Sequence, residues 1–368
     1  MRIAVIGGGI AGVSVAAELS VKHDVTLLEM EPQLAHHTTG RSAAMFLGSY
    51  GNNTIQELSS KSLEIFHQLS EEIGHPILTP RDMVQIFDDQ QLSDIEPTLK
   101  SHTTMEVWSI EELCRIAPYI ARDRIGAVLR DTSGFDVDVA AMHQAYVKRL
   151  MSNDGAVEKL HEVISIDLHH GDNALVSTGN GLFEVDLVIN ASGAWGNVVA
   201  ERAGCSTIPL HPLRRTIFTS RVSTEFEPGP MILRHPEEFY FRIDRGVVIG
   251  SPADESPSEP CDARPEEIDV AMAIEAINEL TTLAIRSVET AWAGLRTFAS
   301  DRTPVVGFNT NESRFFWLCG QGGYGIQMSP KLAALAADVI NGEVLPEDGA
   351  LVKAMSPARF VGSSTLSS

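Results

Sequence analysis

Three glycines, Gly7-x-Gly9-x-x-Gly12, follow directly on the apolar run of residues 2–6 and open a stretch of small and apolar residues, 13–19. Strand, tight turn and helix is the arrangement that uses glycines at this spacing, and the next apolar run, Val25-Thr26-Leu27-Leu28-Glu29, completes a βαβ unit. In such a unit Gly7 permits the turn and Gly9 lets the backbone approach a pyrophosphate. Gly12 lets helix and strand pack closely, and the helix N-terminus offers free N–H groups to an anion. Glu29 closes the second strand, where an acid can hydrogen-bond ribose hydroxyls and disfavours a 2′-phosphate. The chain therefore reads as a dinucleotide-binding α/β protein, with NADP the nucleotide it suits least.

At 368 residues and 43% hydrophobic content, the chain is long enough for two cores. Its formal charge of −21 argues against a nucleic-acid partner. Cys114, Cys205, Cys261 and Cys319 are far apart and show no zinc spacing, so no metal site is expected and reduced thiols are. No apolar run reaches the roughly 18 residues of a membrane span, and no leader-like segment precedes the first strand. A cytoplasmic protein without an integral membrane segment is expected.

Further along, apolar spacing predicts a helix over 54–73, ended by Pro76 and Pro80, short strands over 83–87 and 126–129, and a short helix over 110–116. Asp138 is placed to cap a helix running through Met151. Residues 182–190 read as one strand that runs into Ala191-Ser192-Gly193-Ala194-Trp195. Strands follow over 213–222, 239–243 and 246–250, the last two joined by a turn at Asp244-Arg245. A helix over 266–280, a strand over 315–318, glycines at 320, 322, 323 and 325, and a helix over 329–341 come next. The last dozen residues read as frayed. Glycine-rich strand exits so far from the first look like later pieces of one nucleotide domain. That favours a flavin, whose ring needs backbone along its edge and a helix N-terminus to stabilise charge.

Taken together, these stretches resemble the D-amino-acid oxidase superfamily of FAD enzymes, within it most nearly the D-arginine dehydrogenases. The resemblance rests on the N-terminal unit, His37-Thr38-Thr39-Gly40-Arg41-Ser42-Ala43-Ala44, the strand exit at 188–195, Trp292-Ala293-Gly294-Leu295-Arg296 and Gln321-Gly322-Gly323-Tyr324-Gly325-Ile326-Gln327. It implies an α/β fold: a discontinuous Rossmann-like FAD domain (1–50, 138–208, 295–368) with an inserted mixed-sheet α+β substrate domain (51–137, 209–294). It also implies that Ala11, Glu29 and Met30 hold the adenosine end, that Thr38 to Met45 wrap the pyrophosphate and flavin, and that Val163 touches the adenine side. Gly193 and Trp195 belong to the second strand exit, and Gly322 to Gln327 would line the flavin. Some relatives tether the flavin through a cysteine just beyond the Gly294-Leu295-Arg296 segment; Thr297-Phe298-Ala299-Ser300-Asp301 has none, so non-covalent FAD is expected.

An α-amino acid oxidised at a flavin presents a carboxylate, which calls for an arginine fork matching two oxygens in a plane. Arg296, in an otherwise apolar strand, and Arg215 both match substrate-proximal arginines of the family. Strand alternation sends Arg214 and Arg215 to opposite faces. Tyr240 and Tyr50 match pocket tyrosines, and a phenol can hydrogen-bond the substrate while its ring excludes water. None of the twelve histidines sits in a motif for a base. Asp82, in Pro80-Arg81-Asp82, is the counterpart of an acid that holds a basic side chain, but the acid is shorter here and so is its approach. Met45 and Leu47 replace polar residues, which favours apolar substrates.

The resemblance thus implies hydride transfer from the Cα of a D-amino acid to FAD, giving an imino acid and then a 2-oxo acid. Oxidation of glycine, sarcosine or another secondary amine is the nearest alternative, and a flavin-binding subunit without turnover is one of another class. Oxygen and a quinone both stand as electron acceptors. A lysine that activates oxygen in some sarcosine oxidases corresponds to Val248.

Overall fold

A computed structural model describes residues 1–361 of the chain; Gly362 to Ser368, part of the end expected to fray, lie outside the described residues. Just before them Pro357–Phe360 forms a 3-10 turn, and Gly307 packs against Pro357.

The N-terminal unit forms as its pattern requires: strand Arg2–Ile6, helix Ile10–Leu19, strand Asp24–Glu29. Gly7 has φ +109, and a Cβ there would come within 2.6 Å of the Ala191 carbonyl oxygen. A Cβ on Gly12 would fall on the carbonyl oxygen of Gly7. Glycine is thus demanded once by conformation and once by close approach.

Among the described residues a six-stranded sheet runs in the order Val305–Asn309, Glu312–Cys319, Leu187–Asn190, Arg2–Ile6, Asp24–Glu29, Ala156–Lys159. Its strands are parallel except the antiparallel first pair. Helices Ile10–Leu19, Asn53–Ile73, Val139–Ser152 and Gly325–Asn341 cover one face, and a three-stranded antiparallel sheet with helix Gly196–Arg202 covers the other. This is the Rossmann-like layer expected from the sequence. Asp138 caps its helix as read, accepting from Ala141 N at 2.9 Å.

A ten-stranded mixed sheet carries the second core, under helix Glu267–Leu280. Thr290–Ala299 pairs with Leu210–Arg221 from Leu210↔Ala299 to Thr219↔Thr290, so the boundary expected at 294/295 falls inside one strand. Helix Asn53–Ile73, expected in the substrate domain, buries Ile55, Leu58, Phe66 and Leu69 in the nucleotide-domain core instead.

Three local readings are corrected. Residues 182–190 make two strands, Gly181–Val185 and Leu187–Asn190, in different sheets. The break is at Asp186, whose carboxylate takes Arg2 N at 2.7 Å and whose N–H donates to Arg2 O. The tight turn lies one residue on, at Arg245 and Gly246, with φ 49° and 79°. Finally, the helix expected from Ser329 starts at Gly325. Pro330 therefore sits inside it and leaves the Ile326 carbonyl without its N–H partner; Ser329 Oγ donates to that carbonyl at 3.1 Å.

Candidate active site

Both sheets contribute to one cavity of about 410 Å³, within the usual range for ligand sites. At one end its wall is the first strand exit: Gly7 and Gly9, Ala11, Glu29 and Met30, with Val163 beside them. Glu29 Oε2 accepts from Gly8 N at 2.6 Å and Oε1 from Glu31 N at 2.9 Å. Buried His143 bonds the Gly8 carbonyl through Nε2 at 3.0 Å. The glycine turn is therefore braced from both sides. Arg202 donates to the Val163 carbonyl, fixing that backbone in the wall.

Midway, Thr38, Thr39, Arg41 and Ser42 to Met45 line the cavity, with Gly193 and Trp195 from the second strand exit. Thr39 Oγ1 accepts from Ile10 N at 3.0 Å, and Thr38 Oγ1 donates to Leu295 O at 2.7 Å. Gly40 is a packing residue, since a Cβ there would meet the Ala35 carbonyl. The Arg41 guanidinium is committed to Ala263 O, Ala293 O and Asp262, so it ties this loop to the second domain. One histidine group escaped the sequence spacing: Glu31, His36 and His37 hold their ligand atoms within 4.8 Å of one another. His37 Nε2 bonds Glu31 Oε1 at 3.0 Å and His36 Nδ1 bonds Gln33 at 3.2 Å.

Gly322, Gly323, Gly325 and Ile326 complete the wall. Two residues expected beside them do different work. Gln327 turns into the core and clamps Leu47, accepting from its N–H at 3.1 Å and donating to its carbonyl at 3.2 Å. The Tyr324 ring props Tyr50, with centroids 4.8 Å apart.

The far end carries the charge. Arg296 is 7% exposed and Arg215 8%, and both line the cavity with Tyr50 and Tyr240. Arg296 Nη2 donates to the Tyr50 oxygen at 2.8 Å; the Tyr50 hydroxyl donates to Glu237 Oε1 at 3.1 Å; Arg215 Nη1 donates to the same Oε1 at 3.2 Å. Behind them Glu255 accepts from Arg296, Arg215 and Arg302. Burial raises the Tyr50 pKa well above the ordinary phenol value, so the hydroxyl stays a donor. Burial works against the charge of Arg215, but Tyr240, Tyr50 and Glu237 outweigh it and hold its pKa above the usual value. Arg214 lies on the opposite face, paired with Asp254, Glu266 and Asp269. Neither Glu237 nor Glu255 was singled out in the sequence; both stand on turns between strands, where spacing carries no signal.

Beside the arginines is an apolar wall. Met83, Met105 and Met231 pack with Met45, Leu47, Leu233 and Tyr240, and all of them line the cavity. Tyr240 joins the two regions, with the Arg215 guanidinium 5.8 Å from its ring centroid. Asp82 is not part of this wall. Its carboxylate is held by Arg130, at 2.7 Å from Nε and 2.6 Å from Nη2, because the two side chains stand on adjoining strand ends of the same sheet. Val248 is buried in the separate core under helix Glu267–Leu280, so its identity bears on nothing in this cavity.

The glycine turn, Glu29 and the three backbone walls fit an FAD, because Gly7, Gly9, Gly193, Gly322 and Gly323 leave backbone open to the cavity along its length. Fold and site thus define a flavin-dependent oxidoreductase. The chain belongs to the FAD dependent oxidoreductase family, whose pattern it matches over residues 2–339. It is 23% identical over 367 residues to the glycine oxidase of Bacillus subtilis, covering 94% of each chain. It is 25% identical over 389 residues to the bifunctional protein ThiO/ThiG of a Synechocystis strain, covering 98% of this chain and 54% of that one, so it spans about half of that relative's length. A D-amino acid dehydrogenase of Neisseria gonorrhoeae is 28% identical over 171 residues, 46% of this chain and 40% of the relative. The likeness to this dehydrogenase of D-amino acids is therefore partial, whereas that to glycine oxidase covers most of both chains. The glycine oxidase structure from Geobacillus kaustophilus has the same fold, with a TM-score of 0.85 at 18% identity over 98% of this chain and 100% of that one. No described helix is long and apolar enough to cross a membrane.

Proposed function

We propose that the protein oxidises the Cα–N bond of an α-amino acid with an apolar side chain, of the D series by the resemblance of its motifs. The observation that carries this reading is the pair of buried arginines joined through Tyr50 and Glu237 and adjoining a wall of methionines and leucines. Arg296 and Arg215 offer planar, permanently charged forks to a carboxylate, which neither a neutral amine nor a sugar would need. Tyr50 adds a hydroxyl that stays protonated, and its ring and that of Tyr240 keep water from the reacting carbon. The methionine side chains adapt to apolar groups of different shape. Bound FAD supplies the two-electron acceptor. The imino acid produced would hydrolyse in water to a 2-oxo acid and ammonia.

Glycine or a small secondary amine is the second reading, favoured by the match to glycine oxidase over most of both chains. It leaves Met83, Met105 and Met231 without a substrate group to cover. Anaerobic flavin bleaching by D-amino acids, their L enantiomers, glycine, sarcosine and proline separates the two. Bleaching by D-Leu or D-Met supports the first reading. Bleaching by glycine or sarcosine alone establishes the second, and bleaching by L enantiomers alone removes the D-series assignment.

A further inference from the structure

Glu237 occupies a place that the carboxylate-binding reading leaves unexplained. It lies on the turn between strands Met231–Arg234 and Phe239–Asp244 and lines the cavity. Its φ of 114° is one that a residue with a Cβ adopts at a cost, so the surrounding structure holds it there. Its Oε1 receives both the Tyr50 hydroxyl and an Arg215 N–H, the groups assigned above to a substrate carboxylate. An anion thus already faces the cavity at the spot where a substrate anion must come.

A plain carboxylic acid entering here would bring a second negative charge against Glu237 and return nothing to it, and a 2-hydroxy acid would return only a neutral O–H donor. An α-amino acid carries its own answer, because its ammonium can take the Glu237 carboxylate while its carboxylate takes the arginine forks. The remaining acid near the arginines, Glu255, stands behind the wall and is shared by Arg215, Arg296 and Arg302, so it is not free to serve the amine. Gln85 and His102, the other polar wall residues near the methionines, bear no negative charge.

We propose that Glu237 is the specificity-determining residue that reads the amino group, admitting α-amino acids and turning away carboxylates and hydroxy acids of the same skeleton. The inference rests on the reading of Arg296 and Arg215 as the carboxylate site.

The test uses FAD-loaded protein and a matched series: D-leucine, 2-hydroxy-4-methylpentanoate and 4-methylpentanoate. Binding of the two acids is read from the perturbation of the flavin spectrum, and that of D-leucine from the concentration dependence of anaerobic flavin reduction. In Glu237→Gln the apparent Kd for D-leucine is expected to rise about tenfold and that for 4-methylpentanoate to fall about tenfold, with Glu237→Asp restoring part of both shifts. Movement of both ligands in one direction, or of neither while FAD is retained, overturns the inference. If Glu237→Gln loses FAD, the wild type decides: D-leucine should bind about tenfold or more tightly than 4-methylpentanoate, and equal affinities overturn the inference. Failure of every amino acid to reduce the wild-type flavin would remove the underlying reading and this one with it. Reduction without a change of selectivity in the variant removes this one alone.

Discussion

Arg296 and Tyr50, 246 residues apart in sequence, meet at 2.8 Å, guanidinium Nη2 to phenol oxygen. The contact aims the guanidinium along the cavity and makes Tyr50 an acceptor on one side and a donor to Glu237 on the other. Arg296→Lys should therefore do more harm than its retained charge suggests, since an ammonium cannot reproduce a planar fork. A loss of about 2 kcal/mol in kcat/KM is expected, within the range for a charge-assisted hydrogen bond. An unchanged kcat/KM across the substrate panel would show that Arg296 is structural.

Gly323 is the floor on which that guanidinium rests: a Cβ there would fall on Arg296 Nε, Cζ and Nη2. Gly323→Ala must push the arginine off its line to Tyr50 without disturbing the nucleotide end. In the FAD-loaded variant KM should rise about tenfold, the equivalent of some 1.4 kcal/mol, with Tm little changed. A crystal structure of the variant with Arg296 unmoved and wild-type KM would contradict the geometry.

With Asp82 held by Arg130, Asp82→Asn should leave the ratio of D-Leu to D-Arg turnover unchanged. Its effect belongs to stability, about 1 kcal/mol or less for a partly exposed pair. A selective loss of D-Lys and D-Arg oxidation would place Asp82 in the substrate pocket after all.

FAD should be released by acid precipitation, because residues 297–301 beyond Arg296 contain no cysteine to hold it. Yellow colour remaining with the precipitate would mean a covalent bond elsewhere. Cys319, although in the cavity wall, is a poor nucleophile, with burial pushing its thiol up to about 12.

Asp348 is 1% exposed and bonded by Lys61 at 2.8 Å and Lys331 at 2.6 Å, tying helices Asn53–Ile73 and Gly325–Asn341 to the C-terminal segment. Burial alone would raise its pKa, but the two lysines outweigh burial and hold it below the usual carboxylate value. The folded pKa is thus the lower one. The contribution to stability is complete above the unfolded value of about 3.9 and lost as pH falls through the folded value. Asp348→Asn should cost about 2 kcal/mol at pH 7 and flatten the loss of Tm below about pH 4. A variant whose Tm falls with acid as steeply as the wild type would exclude Asp348 as a source.

What the sequence determined by itself was local. The glycine turn between Ile6 and Ile10, the Asp138 cap and the alternation of Arg214 and Arg215 follow from conformational freedom, orphan N–H groups and the two-residue strand period, each acting within a few residues. The arginines and tyrosines of the site were legible through motifs. Tertiary structure decided which of these groups meet and which are diverted. Asp82 faces Arg130, Gln327 clamps Leu47 and Tyr324 props Tyr50 because partners from other segments compete for the same side chains. Glu237 and the methionine wall carry no spacing signal, since Met45, Met83, Met105 and Met231 come from four separate strands. Only the ten-stranded sheet that holds three of those strands, the separate short strand that carries Met45, and the turn that holds Glu237 against Tyr50 and Arg215 bring charge and apolar surface to one cavity.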